Sequence, residues 1–421
     1  MSAPRFLRPG ALLGAAVLVA VLVVVAPPQL RAAPPLPAAA SPEGALRHVA
    51  ALSRQIGPRA AGTAGYLAAV EYVEGQMRAM GYEVERQPFS FLYFEAGSAV
   101  LRIGGAEGEE LRPAILQYSA ATPATGIEGT LAAAGLGRAE EVSRASVGGR
   151  IALIERGELT FREKVETAAA AGALAVVIYN NRPGVAPGAT LGAPSRIPAV
   201  MISLEVGERL VAQLRQGAVR VHLRVEAVTE QRPTWNVIGR RRGREARTIV
   251  IGAHLDSVEE SPGANDNASG IAAALEAARL LASTPLGLSV EIVGFGAEEL
   301  GLFGSAHYVR ERGSRVAGMI NMDMVGRGPL MIGNSGSDGR MVELGGRVAA
   351  RLGLRVERFR LGLSDHVNFE RAGIPALFIH TGDDPAIHTP GDVLERLEPQ
   401  RMADAARLAA AAAVEAGEVL R

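Results

Sequence analysis

The chain has 421 residues, 48% of them apolar, which is enough for a sizeable core and for more than one domain. Lysine plus arginine and aspartate plus glutamate both number 44, so no overall basic field exists to hold nucleic acid or an anionic membrane surface. Cysteine is absent, which excludes disulfides, thiolate metal sites and a cysteine nucleophile.

In chain order, Arg5 and Arg8 precede an apolar run from Ala11 to Ala26, and a Pro/Ala-rich stretch follows. The run is shorter than the ~20 residues of a bilayer span, and Ala38-Ala39-Ala40 suits a signal peptidase. Residues 1–26 therefore read as a signal peptide or an N-terminal anchor and 27–41 as a linker. Either reading puts the rest of the chain outside the cytoplasm, secreted, periplasmic or tethered. Residues 42–112 read as helix, turn, helix and an alternating strand. Residues 113–228 change to short Val/Ile-rich strands between glycine-rich turns, the texture of an inserted, mainly β domain. From residue 233 to 421, TIVIGA, ASGIAAALEAARLLAS, LSVEIVGFGA, GSAHYVRERG, VAGMINMDM and IPALFIH alternate strand with helix before a long Ala-rich helix. That alternation predicts an α/β fold, a mixed, largely parallel sheet with helices on both faces.

In such sheets reactive groups gather at the C-terminal strand ends. His254 and Asp256 end the first of these strands, Asp266 follows in the next loop, Glu298 and Glu299 end LSVEIVGFGA, Asp323 ends VAGMINMDM, and His388 follows IPALFIH. Taken singly, each has a bland role: a turn histidine, a helix N-cap, an exposed loop pair, a strand end. Together they put two imidazoles and five carboxylates at one sheet edge, and repulsion between the carboxylates must be relieved by cations or by protons. Asp266, Glu299 and Asp323 with neutral His254 and His388 carry three negative charges, which two divalent ions and a hydroxide balance. Mixed histidine and carboxylate ligands suit zinc, with manganese or cobalt as alternatives. Two such ions would activate a bridging water for hydrolysis, and Glu298, beside a ligand but free itself, is the expected general base.

His254-x-Asp256, Asp266 in GANDNASG, Glu298-Glu299, Asp323 in NMDMVG and His388 in HTPGD resemble the M28 family of dizinc aminopeptidases, as does IGPRAAGTAGY near the start. GRIALIERGELTFREKVETAAAAGALAVVIYNN followed by IPAVMIS resembles a protease-associated (PA) domain. The resemblance implies that His254 and Asp323 hold one zinc, Glu299 and His388 the other, and Asp266 both. It also implies Glu298 as base and then acid, Asp256 orienting His254, and a cis peptide after Asp266. Many members carry a tyrosine before the last histidine, where this chain has Ile387, so the oxyanion donor must be something else. Ser364, Asp365 and His366 in LSDHVNF resemble a motif near the active site: His366 is left open between touching substrate and not, and Ser364 or Asp365 between that site and a helix N-cap. Glu155, Arg156 and Glu158 read as solvated loop charges. The implied function is hydrolysis of N-terminal residues from peptides by a metal-bridged hydroxide. The alternatives are an M28-type carboxypeptidase, whose pocket would end in an arginine for the α-carboxylate where an aminopeptidase has a carboxylate for the α-ammonium, a glutaminyl-cyclase-like enzyme, and a silent receptor-like ectodomain; the sequence does not place loop residues such as Arg327.

Overall fold

A computed structural model describes residues 39–104, 108–183 and 189–420, all within the second of two units, Pro37–Arg421. The targeting segment and nearly all of the linker lie outside these residues.

The parallel core of the sheet runs Ala376–His380, Val316–Met322, Glu245–His254 and Leu288–Phe295 in spatial order. Met331–Asn334 adds an antiparallel strand beyond Ala376–His380, and Glu357–Arg360 pairs parallel with it at the edge. Buried strands of this kind read as unbroken apolar runs because both faces are covered. In Glu245–His254, Ile249, Ile251 and Ala253 pack on one face with the helices Gly270–Leu281 and Pro399–Val419. Val250 points the other way, into a cluster with Phe295, Tyr308 and Phe369, whose last two members come from the helices Phe303–Arg312 and His366–Arg371. The alanines of Pro399–Val419 and Gly270–Leu281 are buried together, where small side chains let two helices lie close.

On the other side of Leu288–Phe295, Arg220–Arg241 runs antiparallel and pairs along its length with Glu83–Ile103. This two-stranded ribbon continues out of the first sheet region, with one bulge between Ala96 and Ala99. Its far end joins four parallel strands, Ile127–Ala133, Ile151–Glu155, Ala175–Tyr179 and Ala199–Ile202. Beside these strands stand the helices Ala139–Ala145, Phe161–Ala170 and Leu204–Leu214, around two further apolar clusters. In this region Arg156 donates to Asn180 (3.0 Å), Glu155 accepts from Tyr179 (3.3 Å) and Glu158 pairs with Arg138.

Candidate metal centre

The proposed site residues come from strand ends and from the loops that follow them. His254 is the last residue of its strand, Asp323 follows Met322, and Glu298 and Glu299 lie three and four residues past Phe295. Asp266 enters from the turn ahead of Gly270–Leu281, and His388 from the loop after His380. The peptide between Asp266 and Asn267 is cis, as the family resemblance implies.

The chain brings them together. Asp266 turns one carboxylate oxygen to each imidazole: Oδ1 is 3.0 Å from His254 Nε2 and Oδ2 is 3.1 Å from His388 Nε2. Asp323 Oδ1 stands 3.4 Å from His254 Nε2, and Glu299 Oε2 2.9 Å from His388 Nε2. Glu298 reaches the same space, with ligand atoms of His254, Glu298 and Asp323 all within 4.8 Å of one another. His254 Nδ1 donates to the backbone carbonyl of Asp256 at 3.1 Å, which turns Nε2 to the carboxylates; there it carries a proton in the metal-free chain and would offer its lone pair to a metal ion. The Asp256 carboxylate is 3.8 Å from the same ring and accepts instead from the amides of Glu298 (3.1 Å) and Glu299 (3.2 Å). One aspartate thus holds the histidine through its carbonyl and the two glutamates through its side chain.

The electrostatics are those of a site built around positive charge. Burial would pull His254 down, but Glu298, Asp323 and Asp266 push it well up. His388 is held at about 10 by its hydrogen bonds to Asp266 and Glu299. Burial opposes ionisation of Asp266, yet its bonds to the two imidazoles keep it well below the ordinary carboxylate range. Burial pushes Asp256 up to about 6 and raises both Glu298 and Glu299. Protons stand here where metal ions would. Among the described residues Glu299 Oε1 and Asp323 Oδ1 are buried and find no hydrogen-bond donor, two lone-pair sites left for a cation. Two imidazoles, three carboxylates and those open acceptors fit divalent ions of the zinc type.

The supporting residues were not legible in the sequence. Asp392, the last residue of HTPGD, accepts from the amides of Asn265 (2.7 Å) and Asp266 (3.0 Å) and so fixes the backbone that carries the shared aspartate. Arg59, fully buried, donates to the carbonyls of Pro262 (2.6 Å), Gly263 (2.9 Å), Leu255 (3.1 Å), Gly57 (3.1 Å) and Leu52 (3.3 Å). Burial pulls it down only to about 10, so it stays charged at neutral pH. Gly263 has φ +58°, and a Cβ there would strike Ser257 and Arg59. Asn267 bonds the Met322 carbonyl (3.0 Å) and the Met324 amide (3.2 Å), tying the Asp266 turn to the Asp323 strand end. Three non-glycine residues with positive φ flank the ligands: Ala297 (55°), Met324 (53°) and His388 itself (58°). Each costs about 1–2 kcal/mol and is held by its surroundings, a pattern common at functional sites.

LSDHVNF lies beside the site, where the charge of Asp365 acts on His254 and Glu298, while its histidine belongs to the core. His366 is buried, stacked on Phe378 at 4.4 Å between centroids and bonded through Nε2 to the Leu361 carbonyl (2.8 Å). It packs rather than facing substrate. Neither Ser364 nor Asp365 caps the helix with its side chain; Ser364 accepts from Asn321 (2.8 Å), and buried Asp365 is pushed up to about 7 by desolvation. Arg327 is paired with the buried carboxylate of Asp384 (3.2 Å), which Arg396 also holds (3.0 Å).

With this geometry in place, comparison with known proteins becomes specific. The family model for peptidase family M28 matches residues 236–413, and that for the PA domain residues 119–210. The aminopeptidase YwaD of Bacillus subtilis is 36% identical over 393 residues, 87% of this chain and 83% of that protein. The chain belongs to peptidase family M28. Among solved structures, an aminopeptidase from Aneurinibacillus sp. strain AM-1 superposes with a TM-score of 0.79 at 34% identity, covering 90% of this chain and 94% of that one. BSAP, a zinc aminopeptidase from Bacillus subtilis, gives 0.71 at 34% identity over 89% and 95%. This M28 protein, with its PA domain, is a metallo-aminopeptidase.

Proposed function

We propose that this M28 protein is an exported aminopeptidase that uses two zinc ions to remove N-terminal residues from peptides. The observation that carries this reading is Asp266, whose two oxygens each face a different imidazole, at 3.0 and 3.1 Å. A carboxylate so disposed can serve two ions at once. His254 and Asp323 would hold one ion, His388 and Glu299 the other, and Asp266 both. When bound, the pair supplies a water of lowered pKa and polarises the scissile carbonyl.

The chain's own residues do the rest. Glu298, with no hydrogen bond to its carboxylate among the described residues, takes the proton of the attacking water and returns it to the leaving amine. Glu299 is engaged with His388 and so reads as a ligand. Asp256 keeps the two glutamates apart in role by fixing both of their amides. Ile387 offers no hydroxyl, so the oxyanion would be stabilised by a bound cation or by another side chain. Export rests on Arg5, Arg8 and the apolar run from Ala11 to Ala26. The peptidase would comprise residues 42–112 and 233–421, with 113–228 inserted between them.

The test is turnover of one peptide, free and N-acetylated, by zinc-loaded protein, together with metal analysis. The expected result is cleavage of the free form only and two equivalents of zinc. Equal turnover of both forms would reject an aminopeptidase, and a firm limit of one equivalent would reject the two-ion site.

A further inference from the structure

The loop that presents His388 is pegged at both ends to one residue. Asn265, next to the shared aspartate, donates its main-chain amide to Asp392 (2.7 Å) and its side-chain amide to Asp384 Oδ2 (3.1 Å). Among the described residues, the main chain from Pro385 to Gly391 bonds only within the loop: the Ile387 amide to the Asp384 carbonyl (3.0 Å), and the amides of Thr389 to Ala386 and of Asp392 to Thr389 (3.1 Å each). His388 rides on this loop with φ 58° and a half-exposed side chain.

Asp384 is itself 4% exposed. Its Oδ1 accepts from the Ala386 amide (3.0 Å), from Arg396 (3.0 Å) and from Arg327 (3.2 Å), which stands four residues past Asp323. Burial opposes its ionisation, yet these donors, with Asn265, hold the carboxyl below the ordinary carboxylate range. The side-chain oxygen of Asn265 in turn accepts the Gly326 amide (3.0 Å). One carboxylate thus joins the His388 loop to the Asp266 turn and to the chain that follows Asp323. No hydrogen bond among the described residues links it to His388 or to another candidate ligand, so it acts through the loop.

We infer that Asp384 is a positioning residue for the ion that His388 and Glu299 would hold. The inference rests on the two-ion reading above. Without that carboxylate only the Asp392 peg remains, and His388, whose positive φ is unfavourable in itself, can leave the geometry in which Nε2 meets Asp266 and Glu299. His254 ends a strand hydrogen-bonded on both sides, and Asp323 directly follows another, so neither needs this support. The effect is confined to one ion.

Full-length chains that each lack one ligand separate the two ions. Asp323→Asn leaves His388 and Glu299 to hold zinc, and Glu299→Gln leaves His254 and Asp323; competition of the metal-free chain with a chromophoric chelator gives the zinc Kd of each. Adding Asp384→Asn should raise Kd roughly 10–100-fold in the first chain, the scale for residues that orient a ligand, and leave it unchanged in the second. The visible spectrum of bound cobalt should likewise change in the first chain alone. Arg396→Gln, at a partly exposed position, removes one partner of Asp384 and should give the same split on a smaller scale; it carries the test if Asp384→Asn does not fold. An equal loss in both chains, or no loss in the first, overturns the inference. An unsubstituted chain that saturates at one zinc overturns the two-ion reading and this one with it.

Discussion

Asp392→Asn removes almost no volume and isolates what holds Asp266 in place. The native carboxylate, 1% exposed, accepts the Asn265 and Asp266 amides, one on each oxygen. Asparagine keeps one acceptor and turns an NH2 against the other amide. One charge-assisted bond is lost and one buried N–H is left unsatisfied, which costs about 2–3 kcal/mol. In the metal-free chain part of this is offset, because Asp392 repels Asp266 and Asp384 nearby; relief of about 1 kcal/mol brings the net loss to ~1–2 kcal/mol. With zinc bound that repulsion is already neutralised, so the full loss should appear. Urea denaturation with and without zinc measures both values. Competition with a chromophoric chelator should show zinc affinity lowered roughly 10–100-fold, as for other residues that orient a ligand. A variant with unchanged urea midpoints and unchanged zinc affinity would show that the Asp266 turn is held by other means.

Glu298→Gln should retain zinc while kcat falls roughly 10²–10⁴-fold, the usual scale of general acid–base catalysis. Glu299→Gln should instead weaken one ion, so that activity depends on added zinc; the opposite outcome in metal analysis would exchange the two roles. Chelation should lower the melting temperature, because ions present at a thousand times their Kd stabilise by about 4 kcal/mol. A calorimetric scan with unchanged melting after verified metal removal would contradict a bound-metal contribution. His48, bonded to Tyr72 at 2.7 Å, is pulled down to about 4 by burial. The unfolded chain takes up that proton below about 6.5 and the folded chain only near 4. Its contribution is therefore complete above pH 6.5 and is lost as pH falls towards 4, by about 2 kcal/mol once its partial exposure is allowed for. His48→Gln should flatten that part of the stability profile, and parallel profiles for the two proteins would refute the assignment.

The sheet and its candidate ligands were legible for one reason: a short apolar run such as Ile249–Ala253, bounded by turn residues, reads as a strand covered on both faces, and the polar residue after it then lies at the strand end. Hence His254, Asp323 and the glutamate pair could be placed before any coordinates. Asp392 and Arg59 could not, because their partners are main-chain groups of turns more than a hundred residues away, and no periodicity encodes such bonds. HTPGD offered His388 as a ligand and looked otherwise like an ordinary turn. His366 could not be decided from the sequence, because membership of a motif says nothing of burial; Phe378, on the strand Ala376–His380, closes over it. The long ribbon was only partly visible, since Gly97 and Ser98 interrupt the alternation where the bulge lies.

That bulge marks a seam. Ala96 faces Ala227 directly across the ribbon, and everything from Gly97 to Glu226, the PA domain included, leaves and returns between these two neighbours. Topologically, this whole segment, the outer end of the ribbon together with the PA domain, occupies the place of a hairpin turn. A tight two-residue connection such as Asn-Gly between Ala96 and Ala227 would close the same antiparallel pair without disturbing the register inward of it. The catalytic half could thus have gained its companion by growth of a single loop. A shortened chain joined at that seam would keep every ligand, while shedding the remainder as one piece.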